Sequence, residues 1–364
     1  MVKIDKQIMS NLKFKEMKNI RSNSRRVMIT LFVLLLSVVG MKNAFAQQQV
    51  AILQHNDTLS AFYGPNALNL AHTAAADGDT ITLSSGNFEG CTLTKAVTIH
   101  GAGCTDDTAS YLAPTRIVSD LKLQKASETM PLTIEGVWFN KVYCFYIQNY
   151  LTKNVRFIKC NVDILTYYSL GYSNEGIRDF YLDNCKIKQY DCYKSSGVIL
   201  QNCVVRFTNH YQNNAYHMNF IYNSVICLND NVTLNNTRGF NSIIATGNGN
   251  TASNSTFYNC IDIQTGSSNI FEGQLNQTNM QVNSYEEVFE TFAGTVTYAQ
   301  NYQLIDEIAT TFLGNDGTEV GIHGGMNPYN PRPPYMIIRN TNVAGRTTED
   351  DKLSVEIELI SNGN

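Results

Sequence analysis

One pattern recurs through residues 154–264: a short apolar strand, an Asn, a small residue, then a second alternating strand. It reads Phe180-Tyr-Leu-Asp-Asn-Cys185-Lys-Ile187, Val198-Ile-Leu-Gln-Asn-Cys203-Val-Val205, Asn219-Phe-Ile-Tyr-Asn-Ser224-Val-Ile226 and Ser255-Thr-Phe-Tyr-Asn-Cys260. Phe157-Ile-Lys-Cys160-Asn-Val162 is a looser copy, and Thr98-Ile-His-Gly101 and Thr133-Ile-Glu-Gly136 place Gly in the small slot. Slots 136, 160, 185, 203 and 224 are spaced 24, 25, 18 and 21 residues apart. A strand-rich repeat of that length cannot bury its apolar face alone and must stack on its neighbours, which is a solenoid.

Side-chain parity supports the stack. Cys160/Val162/Ile164, Cys185/Ile187, Cys203/Val205/Phe207 and Ser224/Ile226/Leu228 can all point inward. The last copy slips and sets Asp262 on the inward parity. Asn184, Asn202, Asn223 and Asn259 share a corner, where Asn tolerates the bend and its amide could bond to the amide one coil away. All nine Cys follow residue 46; the recurring ones fit as small buried apolar groups, while Cys91 with Cys104, or Cys185 with Cys192, could bridge. No His/Cys cluster has zinc spacing, so no metal site is expected.

Residues 1–46 have the three regions of a secretory signal peptide. Arg21, Arg25 and Arg26 precede the apolar run Met28–Val39, and Ala44-Phe-Ala46 forms a small-residue cleavage site. Cleavage after Ala46 makes the protein secreted, periplasmic or cell-surface, with no membrane span left in the mature chain. It also removes 9 basic and 2 acidic residues, leaving 18 Lys/Arg against 29 Asp/Glu, about −11 instead of −4. Such a chain is a poor ligand for nucleic acid.

Residues 47–326 are expected to form the solenoid and 327–364 a proline-rich linker with a terminal strand, Lys352–Leu359. Leu68, Leu70, Ala71, Ala74 and Ala75 in the segment 65–76 suggest an amphipathic helix that caps the first coil. Ala74-Ala-Ala-Asp-Gly-Asp-Thr-Ile-Thr-Leu83, the Thr-Ile-x-Gly coils and Asp316-Gly-Thr-Glu-Val-Gly-Ile-His-Gly-Gly325 resemble exported right-handed parallel β-helix proteins of the pectin-lyase-like superfamily. The closing segment is similar to the ends of such proteins in Bacteroidetes that have no assigned activity. The resemblance implies an all-β, right-handed parallel β-helix of about nine or ten coils, with an N-terminal capping helix and a small C-terminal extension. That superfamily holds polysaccharide lyases, glycoside hydrolases and adhesins, so the resemblance speaks to fold and export and not to one activity.

The catalytic motifs of that superfamily are missing. A calcium-dependent lyase needs clustered carboxylates, and the matching stretch Val137-Trp-Phe-Asn140 has none, so no cofactor is expected and calcium has no motif. A hydrolase needs paired acids on neighbouring coils, whereas Asp163, Asp183, Asp191 and Asp262 are scattered. One constellation remains: Lys188 and Arg206 on outward parity with Tyr190 and His210 in adjoining loops, groups that could neutralise a uronate carboxylate and move a proton. Tyr167, Tyr168 and Tyr211, with Lys186, could line a long face on which sugar rings stack. The leading expectation is therefore an exported protein that contacts a polysaccharide or surface glycan without catalysis. The alternatives are a polysaccharide lyase built on Lys188, Arg206, Tyr190 and His210, and a structural or adhesive solenoid that binds protein.

Overall fold

The computed structural model describes residues 49–105, 113–124, 129–147, 150–169, 178–191, 195–209, 218–271, 278–332, 337–343 and 355–360. Residues Gln49–Asn364 form one compact unit. It is an all-β parallel solenoid of about eight turns, roughly the nine or ten coils expected. The leader lies outside the described residues, among which no helix is long and apolar enough to cross a membrane.

Two sheets make the walls. The 11-stranded sheet begins with the hairpin β1 (Val50–His55) and β2 (Thr58–Tyr63), continues through β3 (Thr80–Leu83) and ends at Thr256–Tyr258. The 12-stranded sheet runs from Gly86–Phe88 to Met280–Val282. From β3 onward, successive strands of the first sheet pair in parallel, so equivalent residues of successive coils lie side by side. Helix α1 (Ala67–Ala74) buries Ala67, Leu68, Ala71 and His72 at the N-terminal end. Leu70 and Ala74, expected on that face, are exposed instead.

The slot after the corner forms an interior ladder. The Cys160 amide donates to Cys185 Sγ at 3.5 Å, Cys185 to Cys203 Sγ at 3.5 Å, Cys203 to Ser224 Oγ at 3.1 Å and Ser224 to Ser242 Oγ at 3.1 Å. Each side chain thus satisfies a backbone donor that the corner would otherwise leave unpaired in the core, which is why Cys or Ser recurs there. Gly136, expected in this slot, instead takes the corner position aligned with Lys159, with φ 67°, and Val137 fills the slot. The eight described cysteines are free thiols, including Cys91 and Cys104, so that bridge is not made; Cys192 lies outside the described residues.

The corner itself departs from expectation. Lys159, Asn184, Asn202, Asn223, Asn241 and Asn259 all have left-handed backbone, φ 44 to 54°, a conformation Asn tolerates better than most residues. Their amides do not chain from coil to coil. They hold the C-terminal segment: Asn259 Nδ2 donates to Leu313 O, Asn241 Nδ2 to Asn315 Oδ1, and Asn202 Nδ2 to Ile322 O and Gly324 O. Asn184 Oδ1 accepts from Asn330 N, and Lys159 Nζ donates to Arg332 O. Residues 313–332 therefore climb back along the solenoid on a rail of corner side chains.

The stretch before them, residues 282–308, covers the outer face of the 12-stranded sheet. Val204, Val225, Cys227, Ile243, Ala245, Ile261 and Ile263 on that face form a second apolar core with Val288, Phe289, Phe292, Val296, Tyr302 and Leu304. Separately, strands Ile337–Val343 and Val355–Ile360 pair as an antiparallel hairpin.

Candidate functional site

The covering strap decides which surfaces a ligand can reach. Lys186 and Lys188 lie on the outer side of the 12-stranded sheet, as parity predicted, but only Lys188 meets solvent. Lys186 is 4% exposed; its ammonium donates to Tyr298 O at 3.1 Å and Gln300 O at 2.6 Å and lies over the rings of Tyr302 and Tyr329. Burial lowers its pKa to about 8. It fastens the strap, and its head group does not present to an external ligand. The Arg206 guanidinium donates to Gly294 O, again in the strap.

Tyr190 is in the core at 0% exposure instead of a loop. The strand pairing shifts register between Ile187 and Tyr190. An irregularity of that kind reverses parity, so Ile187 and Tyr190 both point inward and Tyr190 packs on Phe207 at 5.4 Å. Tyr167 is half-buried and packs against the core. Tyr168 belongs to strand Asn161–Ser169, but its side chain, like His210 and Tyr211, lies outside the described residues. Lys188 instead pairs with Asp163, one of the scattered acids, Nζ to Oδ1 at 2.8 Å. Tyr298 closes this pair: its hydroxyl donates to Asp163 Oδ1 at 2.9 Å, and its ring meets Trp138 edge-on at 4.7 Å. Arg116 covers the other partner, 4.0 Å from the indole centroid. These groups are spent on one another, anchoring the apex of the strap.

The outer face of the 11-stranded sheet contributes nothing to the apolar core under the strap. Register places Arg156, Tyr181, Ile199, Phe220, Arg238 and Thr256 in one outward row along the axis. Asp183, Gln201, Tyr222, Phe240 and Tyr258 form the next row. The rings of Tyr222, Phe240 and Tyr258 stack at 5.3 Å with interplanar angles of 12 and 13°. Rings in that arrangement stand upright with their faces against each other, leaving edges and the free face of Tyr258 for contact.

An open groove interrupts the first row. It is lined by Asn154, Arg156, Asp179, Phe180, Tyr181, Gly197 and Ile199. Ile199 is smaller than the flanking Tyr181 and Phe220, and a Cβ on Gly197 would come within 2.5 Å of Asp179 Oδ1, so glycine keeps the wall open. Arg156 is exposed and makes no ion pair among the described residues, while Asp179 pairs with Arg178 at 3.3 Å. The Tyr181 hydroxyl donates to Gln201 Oε1 at 3.1 Å, and burial together with Asp183 pushes its pKa up to about 12, so it remains a neutral donor. A planar aromatic side chain beside carboxylate, amide and guanidinium groups is a surface that can take a sugar: CH faces on the ring, hydroxyls on the polar groups. The sequence carried a signal for it, the aromatic set one or three residues before the corner Asn in Tyr181, Tyr222 and Tyr258. Among the described residues no group of three His, Cys, Asp or Glu side chains could hold a metal ion. No protein-family profile, curated protein or solved structure matches this chain.

Proposed function

We propose that this protein is an exported, non-catalytic solenoid that binds a glycan at the groove formed by Asn154, Arg156, Asp179 and Tyr181. One observation carries the reading: these mixed aromatic and polar groups line an open groove on the outer face that the strap leaves free. Export rests on the leader-like residues 1–46. The parallel solenoid fold is compatible with a glycan-binding protein. The lyase alternative has less support, since Arg206 directs its charge into the strap, Lys188 is paired with Asp163, and Tyr190 lies in the core.

The test is affinity electrophoresis of wild type, Arg156→Ala and Tyr181→Ala in gels cast with a panel of plant and microbial polysaccharides. Retardation by at least one polymer is expected for wild type. Each substitution should weaken it by roughly tenfold or more, the scale of losing one well-placed contact. Retardation equal in all three proteins would move binding elsewhere. Release of unsaturated uronate products, followed by ultraviolet absorbance, would instead make the protein a lyase.

A further inference from the structure

The N-terminal end of the 11-stranded sheet is an edge that nothing among the described residues covers. Strand β2 is its outermost member, paired to β1 over six consecutive residues without a register shift. Exposed edges are normally blunted by charge, proline or a bulge, because their free amides and carbonyls invite another strand. Thr58-Leu-Ser-Ala-Phe-Tyr63 has no charge and no proline, and its pairing with β1 has no bulge. The outward face of the hairpin is also apolar: Leu59 is 72% exposed, Tyr63 58% and Ile52 40%, while Phe62 faces the core.

We infer that two copies of this chain associate head to head through β2, joining their 11-stranded sheets into one. The two-fold axis of an antiparallel pair is normal to the sheet, and opposed residues share a face. Centring it on Ala61 sets Ala61 against the partner's Ala61 and Leu59 against the partner's Tyr63. The smallest side chain then sits at the axis, its outward-turned N–H and C=O bonding to the partner's, and the two most exposed apolar groups of the hairpin cover each other across the junction. Self-pairing sets one β2 against another, so a charged edge would repel itself; β2, having no charge, is complementary to a second β2. Both copies keep the outer faces of their sheets on the same side, so the dimer presents its two grooves together.

Sedimentation of the purified protein across a concentration series tests this. A concentration-dependent dimer is expected, and Ala61→Lys, which sets two ammonium groups face to face at an exposed position, should weaken it by roughly a hundredfold while leaving the circular dichroism unchanged. Under mild oxidation Ala61→Cys should form an interchain disulfide, because residue 61 opposes itself, whereas Leu59→Cys should not. A wild-type protein that stays monomeric at every concentration would overturn the inference. So would a dimer indifferent to Ala61→Lys, since the interface would then lie elsewhere.

Discussion

The corner asparagines do two jobs with one side chain. Asn202 adopts φ 48°, and its Nδ2 spans Ile322 O at 3.1 Å and Gly324 O at 2.9 Å. Asn202→Ala therefore adds left-handed strain and leaves two strap carbonyls without a donor, an expected loss of about 2–4 kcal/mol. Asn202→Gly removes the same bonds without the strain and should fall measurably closer to wild type in urea titrations. Asp262 is the opposite case, a residue whose chemistry opposes the fold. It sits on the inward row, as parity foretold, fully buried with Oδ2 unpartnered and Oδ1 accepting from Thr246. Burial raises its pKa from 3.8 to about 6. Between those values the folded protein keeps a proton that the unfolded chain has lost, so this group's contribution is fully present below the lower value and is lost as pH rises through the upper one. Asp262→Asn should stabilise the protein by up to about 3 kcal/mol at neutral pH, with the gain shrinking to nothing in acid below the free-carboxyl range. A gain that persisted in acid would mean that packing, and not charge, sets the difference.

At the scale of elements, repeat, corner and most of the inward row were legible because each depends on local spacing that the solenoid multiplies; Ile164, expected inward, is half-buried, and Leu165 takes the inward place in register with Val142 and Tyr190. The strap was not, although its signature was present. Val204-Val205, Val225-Ile-Cys-Leu228 and Ile243-Ile244 are apolar on both parities, and a strand apolar on both faces must be covered on both. What no spacing could supply was the cover, because residues 282–332 carry no repeat and gain their structure from the surface they lie on. The same omission misplaced the basic groups: outward parity was right for Lys186 and Arg206, yet outward there means under the strap. Tyr190 was misread for a different reason, since a register shift within one strand leaves no trace in the residue types around it. The groove on the opposite sheet was readable in part. Tyr181, Tyr222 and Tyr258 recur before the corner, but the gap beside Tyr181 depends on Ile199 and Gly197 one coil away.

A solenoid of stacked coils has mostly nearest-neighbour contacts, so its stability is roughly a sum along one dimension and its ends can melt independently. The strap changes that connectivity. Its bonds run from the coil of Asn259 to the coil of Lys159, and its apex touches Trp138 a coil further on. Coils far apart in the stack are thereby tied to one segment, and losing the strap exposes the whole apolar row from Val204 to Ile263 at once. The intact protein should therefore unfold as one unit in spite of its repeats. Trp138, the chain's one tryptophan, reports on the early coils and on the strap apex through Tyr298, while far-ultraviolet circular dichroism reports on all strands. In urea the two signals should change together for wild type. Phe292 is buried in the strap against Phe289 at 5.1 Å and Tyr302 at 4.7 Å. Phe292→Ala should cost about 3–5 kcal/mol of strap docking. If the strap is what couples the coils, the tryptophan signal of that variant will move to lower urea than the circular dichroism, and an apolar dye will bind between the two transitions. Coincident curves in the variant would place the cooperativity in the coil-to-coil contacts themselves and leave the strap as a cover only.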